Sequence, residues 1–279
     1  MSKINYNDVI EANVELHTAL SNVYRDIEPH YREENIKKIK KIIEKLKHQS
    51  NGESLLDIGC GMGFIIDIAK EYFSTIKGID ITPAMLEKVD TDCDKCDIEL
   101  ILSPIEKMPF DSNTFDVCTA YAVIHHLSDV EKAMNEVYRV LKKGGIFYSA
   151  LDPNYYFWKS IDELDNRNYS HIIEREINSV KHKDEEIQEL YGVDASIVDK
   201  AESYKHIEGG FKEELLKEIF NKVGFKHVDI KYEWFLGEGK LIHDTSLQEH
   251  VVDAIRNHLD EMLPISRNLY KYISIKAQK

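Results

Sequence analysis

Short apolar runs alternate with longer amphipathic stretches along most of this chain. Leu55, Leu56 and Ile58 follow turn-forming residues and read as a buried strand, and residues 75–80, 98–103, 117–123 and 146–151 read the same way. Between these runs the apolar period changes to that of a helix. Ile66, Ala69 and Phe73 follow the first strand, and Val130, Ala133, Met134, Val137, Val140 and Leu141 follow the fourth. Thr82 and Pro83 open a helix expected to run to about residue 89, with proline in the first turn, where its missing N–H costs nothing. Ser128 is the expected cap of the helix after the fourth strand, and Gly144 and Gly145 its stop. A helix over 211–223, stopped at Gly224, leads into a sixth strand over 225–235. Residues 269–276 then alternate at period two and close the sheet. The fold class predicted is α/β, a doubly wound seven-stranded sheet, mostly parallel and Rossmann-like, with its last strand antiparallel.

Three segments fall outside that alternation. Residues 1–50 carry two or three helices, with Val9, Ala12, Leu16 and Leu20 on one apolar face and Ile36, Ile39, Ile43 and Leu46 on another. The lysines around Lys37–Lys47 read as the solvated side of the second helix. Residues 51–154 form the core. Residues 155–208 are charged and read as an inserted helical cap. Residues 209–279 return to the core, with a helical excursion at 237–267 whose main helix is expected over 246–263.

The chemistry concentrates where the first strand turns into its helix. Gly59, Gly61 and Gly63 occupy alternate positions there, as a turn needs when the backbone takes unusual dihedrals beside a ligand. Asp80 ends the second strand, where a carboxylate can accept hydrogen bonds from both hydroxyls of a ribose. The dinucleotide fingerprint does not fit, because the residue three after Gly61 is Phe64 and the third glycine stands one place early. A phosphate loop is excluded too, since no Gly-Lys-Ser/Thr follows.

Charge narrows the substrate classes. The chain has 36 basic against 50 acidic residues, a formal net charge of −14, so a phosphate backbone would be repelled and no nucleic-acid partner is expected. No run approaches the ~18 apolar residues of a membrane span, and the first residues lack the apolar region of a signal peptide, so a cytoplasmic location is expected. Four cysteines do not make a disulfide scaffold in a chain this long. Cys93 and Cys96 have the spacing of half a zinc site, but no second pair of matching spacing follows, so no metal is expected.

Asp57, Gly59, Gly61 and Gly63, with Asp80 seventeen residues beyond the last glycine, resemble the cofactor loop of the class I S-adenosylmethionine-dependent methyltransferases, in their methyltransferase-11 or UbiE-like small-molecule branch. The likeness continues through Pro104 to Phe110, through Phe115 and Asp116 at the head of the fourth strand, and through Arg139 to Gly145. It implies S-adenosylmethionine as cofactor and S-adenosylhomocysteine as product. Asp57, Gly59, Gly61 and Gly63 would surround the methionine end, Asp80 the ribose, and Ile81, Ile105 and Glu106 the adenine, with Tyr121 also in the cofactor site. One departure is Pro104, which stands where many relatives carry an adenine-binding aspartate. The N-terminal helices would act as a lid, with Tyr6, His17, Tyr24, His30, Tyr31 and Arg32 as candidates to face the pocket.

Topology adds an expectation of its own. The connections after strands five and six lie on the carboxyl side of the parallel strands, as the cofactor does. Lid, cap and excursion should therefore converge as a roof over a small or medium-sized acceptor. The substrate-pocket candidates are Tyr24, His125, His126, Asp152, Tyr155, Tyr156, His206 and Glu208, with Trp158, Tyr204 and Trp234 beside them. His125 is the candidate catalytic base. Two other readings stay open: methylation of transfer RNA or protein, and non-catalytic binding of S-adenosylmethionine in a regulatory role.

Overall fold

Seven strands form one sheet in the computed structural model, which describes residues 5–164, 169–181, 188–206, 208–243 and 249–279. They are β1 Ser54–Ile58, β2 Thr75–Asp80, β3 Asp97–Leu102, β4 Phe115–Tyr121, β5 Leu141–Pro153, β6 Lys226–Phe235 and β7 Tyr270–Gln278. Their order is β3-β2-β1-β4-β5-β7-β6, with β1 to β5 parallel and β7 antiparallel to both its neighbours. This is the predicted doubly wound sheet.

Alternation along the central strands separates two cores. Leu55, Val117 and Ile146 pack against Ile39, Ile43 and Leu46 of helix Glu33–Ser50 and against Ile65 and Ile66 of helix Phe64–Ala69. Leu56, Cys118 and Phe147, one residue further along each strand, pack against Met134, Val137 and Val140 of helix Val130–Val140 and against Phe220 of helix Glu213–Val223. Successive side chains of a strand point to opposite faces, so both faces are covered and the strands read as continuous apolar runs.

Several boundaries differ from the sequence expectation. Asp129, not Ser128, caps helix Val130–Val140, its carboxylate accepting the Lys132 N–H at 2.9 Å. That helix stops before the two glycines because Leu141 already pairs with Phe115 in the sheet. The helix after β2 is a single turn, Pro83–Leu86. Beyond it, Cys93 and Cys96 are joined as a disulfide within the loop to β3. The excursion's main helix is Glu249–Glu261, and residues 244–248, where it was expected to begin, lie outside the described residues.

The lid and part of the cap form one body. Ala12, Leu16 and Leu20 of helix Tyr6–Leu20 pack against Val193, Val198 and Ala201, the last two on helix Ala195–Ala201. The excursion behaves otherwise. Val252 joins the core beneath β6 and β7, and the Tyr270 hydroxyl donates to Asp260 at 2.5 Å. Two of the three segments meet at the carboxyl end of the sheet; the third packs on its far edge.

Candidate active site

The loop between β1 and helix Phe64–Ala69 takes positive φ at all three glycines, +62° at Gly59, +51° at Gly61 and +86° at Gly63. An added Cβ would meet Val123 at 2.6 Å from Gly59 and Val89 at 2.8 Å from Gly63, whereas from Gly61 it would enter open space. The outer glycines thus let the loop lie against the protein, and the middle one keeps its exposed side clear. Asp80, at the tip of β2, accepts the Gly61 N–H on Oδ2 at 2.9 Å and the Thr82 N–H on Oδ1 at 2.8 Å. A carboxylate has about four lone-pair sites, so both oxygens can still accept from a ligand.

These groups border a partly open cavity. Gly59, Gly61, Asp80, Ile81, Ile105, Glu106 and Tyr121 all line it. Polar groups stand at the loop and the β2 tip and also on Asn13, Ser103, Glu106 and His126, and Ile81, Met85, Ile105 and Val9 supply apolar walls between which a flat base can lie. A nucleoside with a charged tail fits this donor and acceptor set. Pro104 lines the cavity where an aspartate was looked for, and Glu106 accepts from the Tyr6 hydroxyl at 3.3 Å.

Two predicted cofactor residues do not reach the cavity. Gly63 serves the packing just described. Asp57 is 2% exposed and lies beneath the loop, where Oδ1 accepts the Thr119 hydroxyl at 2.9 Å. Burial there pushes its carboxyl up to about 8.

A second, partly open cavity adjoins the first. His17, Tyr24, Ala122 and His126 line both, and His30, His125, Glu28, Glu202, Lys205 and Tyr272 line only the second. His125 stands over buried Asp152, whose Oδ1 accepts its backbone N–H at 3.2 Å and lies 3.0 Å from Nδ1. Asp152 therefore positions His125 and does not itself line the second cavity. Burial raises its carboxyl to about 8. His126 has Nδ1 2.9 Å from the Ala201 carbonyl oxygen. Burial first, then the neighbouring imidazoles of His125 and His17, press its pKa well below the ordinary histidine value.

Other pocket candidates point elsewhere. Asn154 caps helix Tyr155–Asp162 and turns the chain away from both cavities. Tyr155 lies under the Lys212 ammonium at 4.3 Å, and the Tyr156 hydroxyl donates to Glu214 at 2.7 Å beneath the Arg267 guanidinium. Glu208 is exposed and borders neither cavity. Trp158 packs with Phe157, Tyr204 stacks on Phe211, and Trp234 lies under Lys38. The side chain of His206 lies outside the described residues. Conversely, sequence reading missed Asn13, Met85, Glu28, Glu202 and Tyr272. Of these only Asn13 left a signal, an amide inside the apolar stripe of Val9, Ala12 and Leu16, where it is 3% exposed.

Comparison with known proteins agrees with this geometry. Residues 56–149 match the family described as a methyltransferase domain. The chain is 35% identical over 124 residues to sterol 4-C-methyltransferase strm-1 of Caenorhabditis elegans, covering 41% of this chain and 36% of that protein. It is 35% identical over 107 residues to methyltransferase YcgJ of Bacillus subtilis, covering 36% of this chain and 42% of that one. The chain thus spans less than half the length of these curated relatives. Among solved structures, a SAM dependent methyltransferase from Archaeoglobus fulgidus shares the fold, with a TM-score of 0.51, 16% identity, and coverage of 88% of this chain and 94% of that one. The matched segment runs from β1 into β5, and with the strand order it marks residues 56–149 as a methyltransferase domain of the class I type, whose cofactor is S-adenosylmethionine.

Proposed function

We propose that this protein transfers the methyl group of S-adenosylmethionine to a small or medium-sized acceptor held in the second cavity. One observation carries the reading: the glycine-loop cavity and the second cavity share a wall of His17, Tyr24, Ala122 and His126. A methyl group leaving sulfur at that wall would pass straight into the neighbouring space. The reaction is an in-line displacement at carbon, so proximity and alignment in a desolvated site can supply much of its rate. Asp57, Gly59, Gly61, Gly63 and Asp80 would hold the cofactor's amino-acid end and ribose, the first and fourth by shaping the loop. Ile81, Ile105, Glu106 and Tyr121 would frame the base.

The roof over the second cavity comes from the lid and from residues 193–205, which supply Leu16, His17, Leu20, Tyr24, Glu202 and Lys205. Such a space suits a compact molecule better than a folded polymer, and the net charge of −14 disfavours transfer RNA. The test is labelled S-adenosylmethionine offered with three fractions of a cell extract: molecules of low mass, total transfer RNA, and total protein. Label should move into the low-mass fraction. Transfer only into RNA or protein would overturn the acceptor class, and failure to bind S-adenosylhomocysteine would overturn the enzyme reading itself.

A further inference from the structure

Two imidazoles stand on the wall between the cavities; His17 Nδ1 lies 2.9 Å from the Asn13 carbonyl oxygen on the lid helix, and His126 is the one carried by the core. Its Nδ1 lies 2.9 Å from the Ala201 carbonyl oxygen, which can only accept, so the ring's hydrogen is on Nδ1. The ring is held neutral. Burial and the imidazoles of His125 and His17 disfavour a second proton, outweighing the Glu202 carboxylate and the Ala201 carbonyl, which favour one. A neutral ring protonated at Nδ1 carries its lone pair on Nε2. Among the described residues no hydrogen bond engages that nitrogen.

The neighbouring imidazoles are placed differently. His125 borders only the second cavity, and its Nδ1 faces Asp152 Oδ1 at 3.0 Å. His17 shares the wall, edge-on to His126 with ring centroids 5.2 Å apart, but it belongs to the lid helix Tyr6–Leu20. His126 belongs to the turn Ile124–His126, which follows β4 in the core.

We propose that Nε2 of His126 is the general base of the transfer. This rests on the reading of the second cavity as the acceptor site, and it narrows the acceptor to molecules whose nucleophilic atom bears a hydrogen, as in an N–H or O–H group. The acceptor atom forms its bond to the methyl carbon as the methyl–sulfur bond breaks, and that bond's electron pair stays on sulfur, leaving a neutral thioether. The acceptor's hydrogen passes as a proton to Nε2, and its bonding pair stays on the acceptor. A neutral base is what the geometry requires. An imidazolium would stand beside the sulfonium as a like charge, whereas here the positive charge reaches the ring only as it leaves sulfur.

The test uses labelled S-adenosylmethionine with the low-mass extract fraction, and the variants His126→Ala and His126→Asn. Both should bind S-adenosylhomocysteine as the parent does, and kcat should fall by about 10²–10⁴-fold, the usual contribution of a general base. The parent's acid limb in the pH–rate profile should vanish, and free imidazole should restore turnover to His126→Ala in proportion to its unprotonated fraction. Parent-like turnover in both variants overturns the proposal, as does a loss of turnover matched by an equal loss of S-adenosylhomocysteine affinity. Nitrogen-15 NMR of the imidazoles in the parent saturated with S-adenosylhomocysteine gives a second reading without turnover. Nε2 of His126 should be unprotonated at neutral pH, and a hydrogen found there overturns the assignment. If the parent fails to bind S-adenosylhomocysteine, the methyltransferase reading fails first.

Discussion

Asp80 Oδ2 accepts the backbone N–H of Gly61 at 2.9 Å, tying the tip of β2 to the middle of the glycine loop. Nineteen residues separate the two in the chain. The contact joins the two places where a sulfonium nucleoside would be held, its amino-acid end at the loop and its sugar at the carboxylate. The same oxygen pair also fixes Thr82 through Oδ1, so the acid is pre-oriented before any ligand arrives.

Replacing Asp80 should therefore act mainly on binding. If Asp80 grips the ribose as proposed, Asp80→Ala removes a charge-assisted hydrogen bond worth about 1.5–3 kcal/mol. Titration calorimetry with S-adenosylhomocysteine should show affinity weakened by roughly that amount. Unchanged affinity would remove Asp80 from the cofactor site.

Gly59 and Gly61 share a left-handed backbone yet should fail differently when substituted. Either change to alanine costs about 1–2 kcal/mol for the positive φ alone. From Gly59 the new methyl group also strikes Val123, adding an overpacking cost of about 1–3 kcal/mol that Val123→Ala should relieve. From Gly61 it projects into open space, so the loss should fall on S-adenosylhomocysteine binding instead. Urea midpoints and calorimetry on both variants separate the effects. Equal stability losses with equal affinity losses would contradict this division of labour.

Asp57 makes a prediction about pH. Its folded-state pKa of about 8 lies above the value of ~3.9 for an unfolded chain, because burial outweighs the Thr119 hydrogen bond. Between those values the folded state binds more protons, so this group costs stability as pH rises from 4 to 8. Asp57→Asn keeps an acceptor for Thr119 and abolishes the titration. In the cofactor-free protein at pH 8 it should be more stable than the parent by at least about 1.4 kcal/mol, the equivalent of one pKa unit, with the gap narrowing at pH 5. Parallel stability curves for the two proteins across that range would contradict the assignment.

Much of this molecule is legible in one dimension because the constraints are local. A buried parallel strand must be apolar on both faces, which exposed β1, β2 and β4 as runs. A turn with positive φ beside a ligand selects glycine, and the residue at the tip of the next strand is placed by strand length alone, which exposed Gly59, Gly61 and Asp80. Helix ends were less readable. The cap at Asp129 and the stop at Val140 depend on what the next segment pairs with, and Leu141 is taken by β4.

The sequence by itself determined the fold class, the cofactor loop and the carboxylate at the β2 tip, since each follows from backbone geometry within a few residues. Only the tertiary structure decided which side chains line the second cavity. His125 and His126 are neighbours on one turn, and nothing in their order separates them. Asp152 lies beside the first ring and the Ala201 carbonyl beside the second, and both partners come from distant parts of the chain. Tyr155 and Tyr156 follow β5 by two and three residues, yet the Asn154 cap directs them outward. Hydrogen-bond partners and burial are set by contacts between remote segments, so the side chains that can carry a proton become visible only once the lid, the cap and the sheet are packed together.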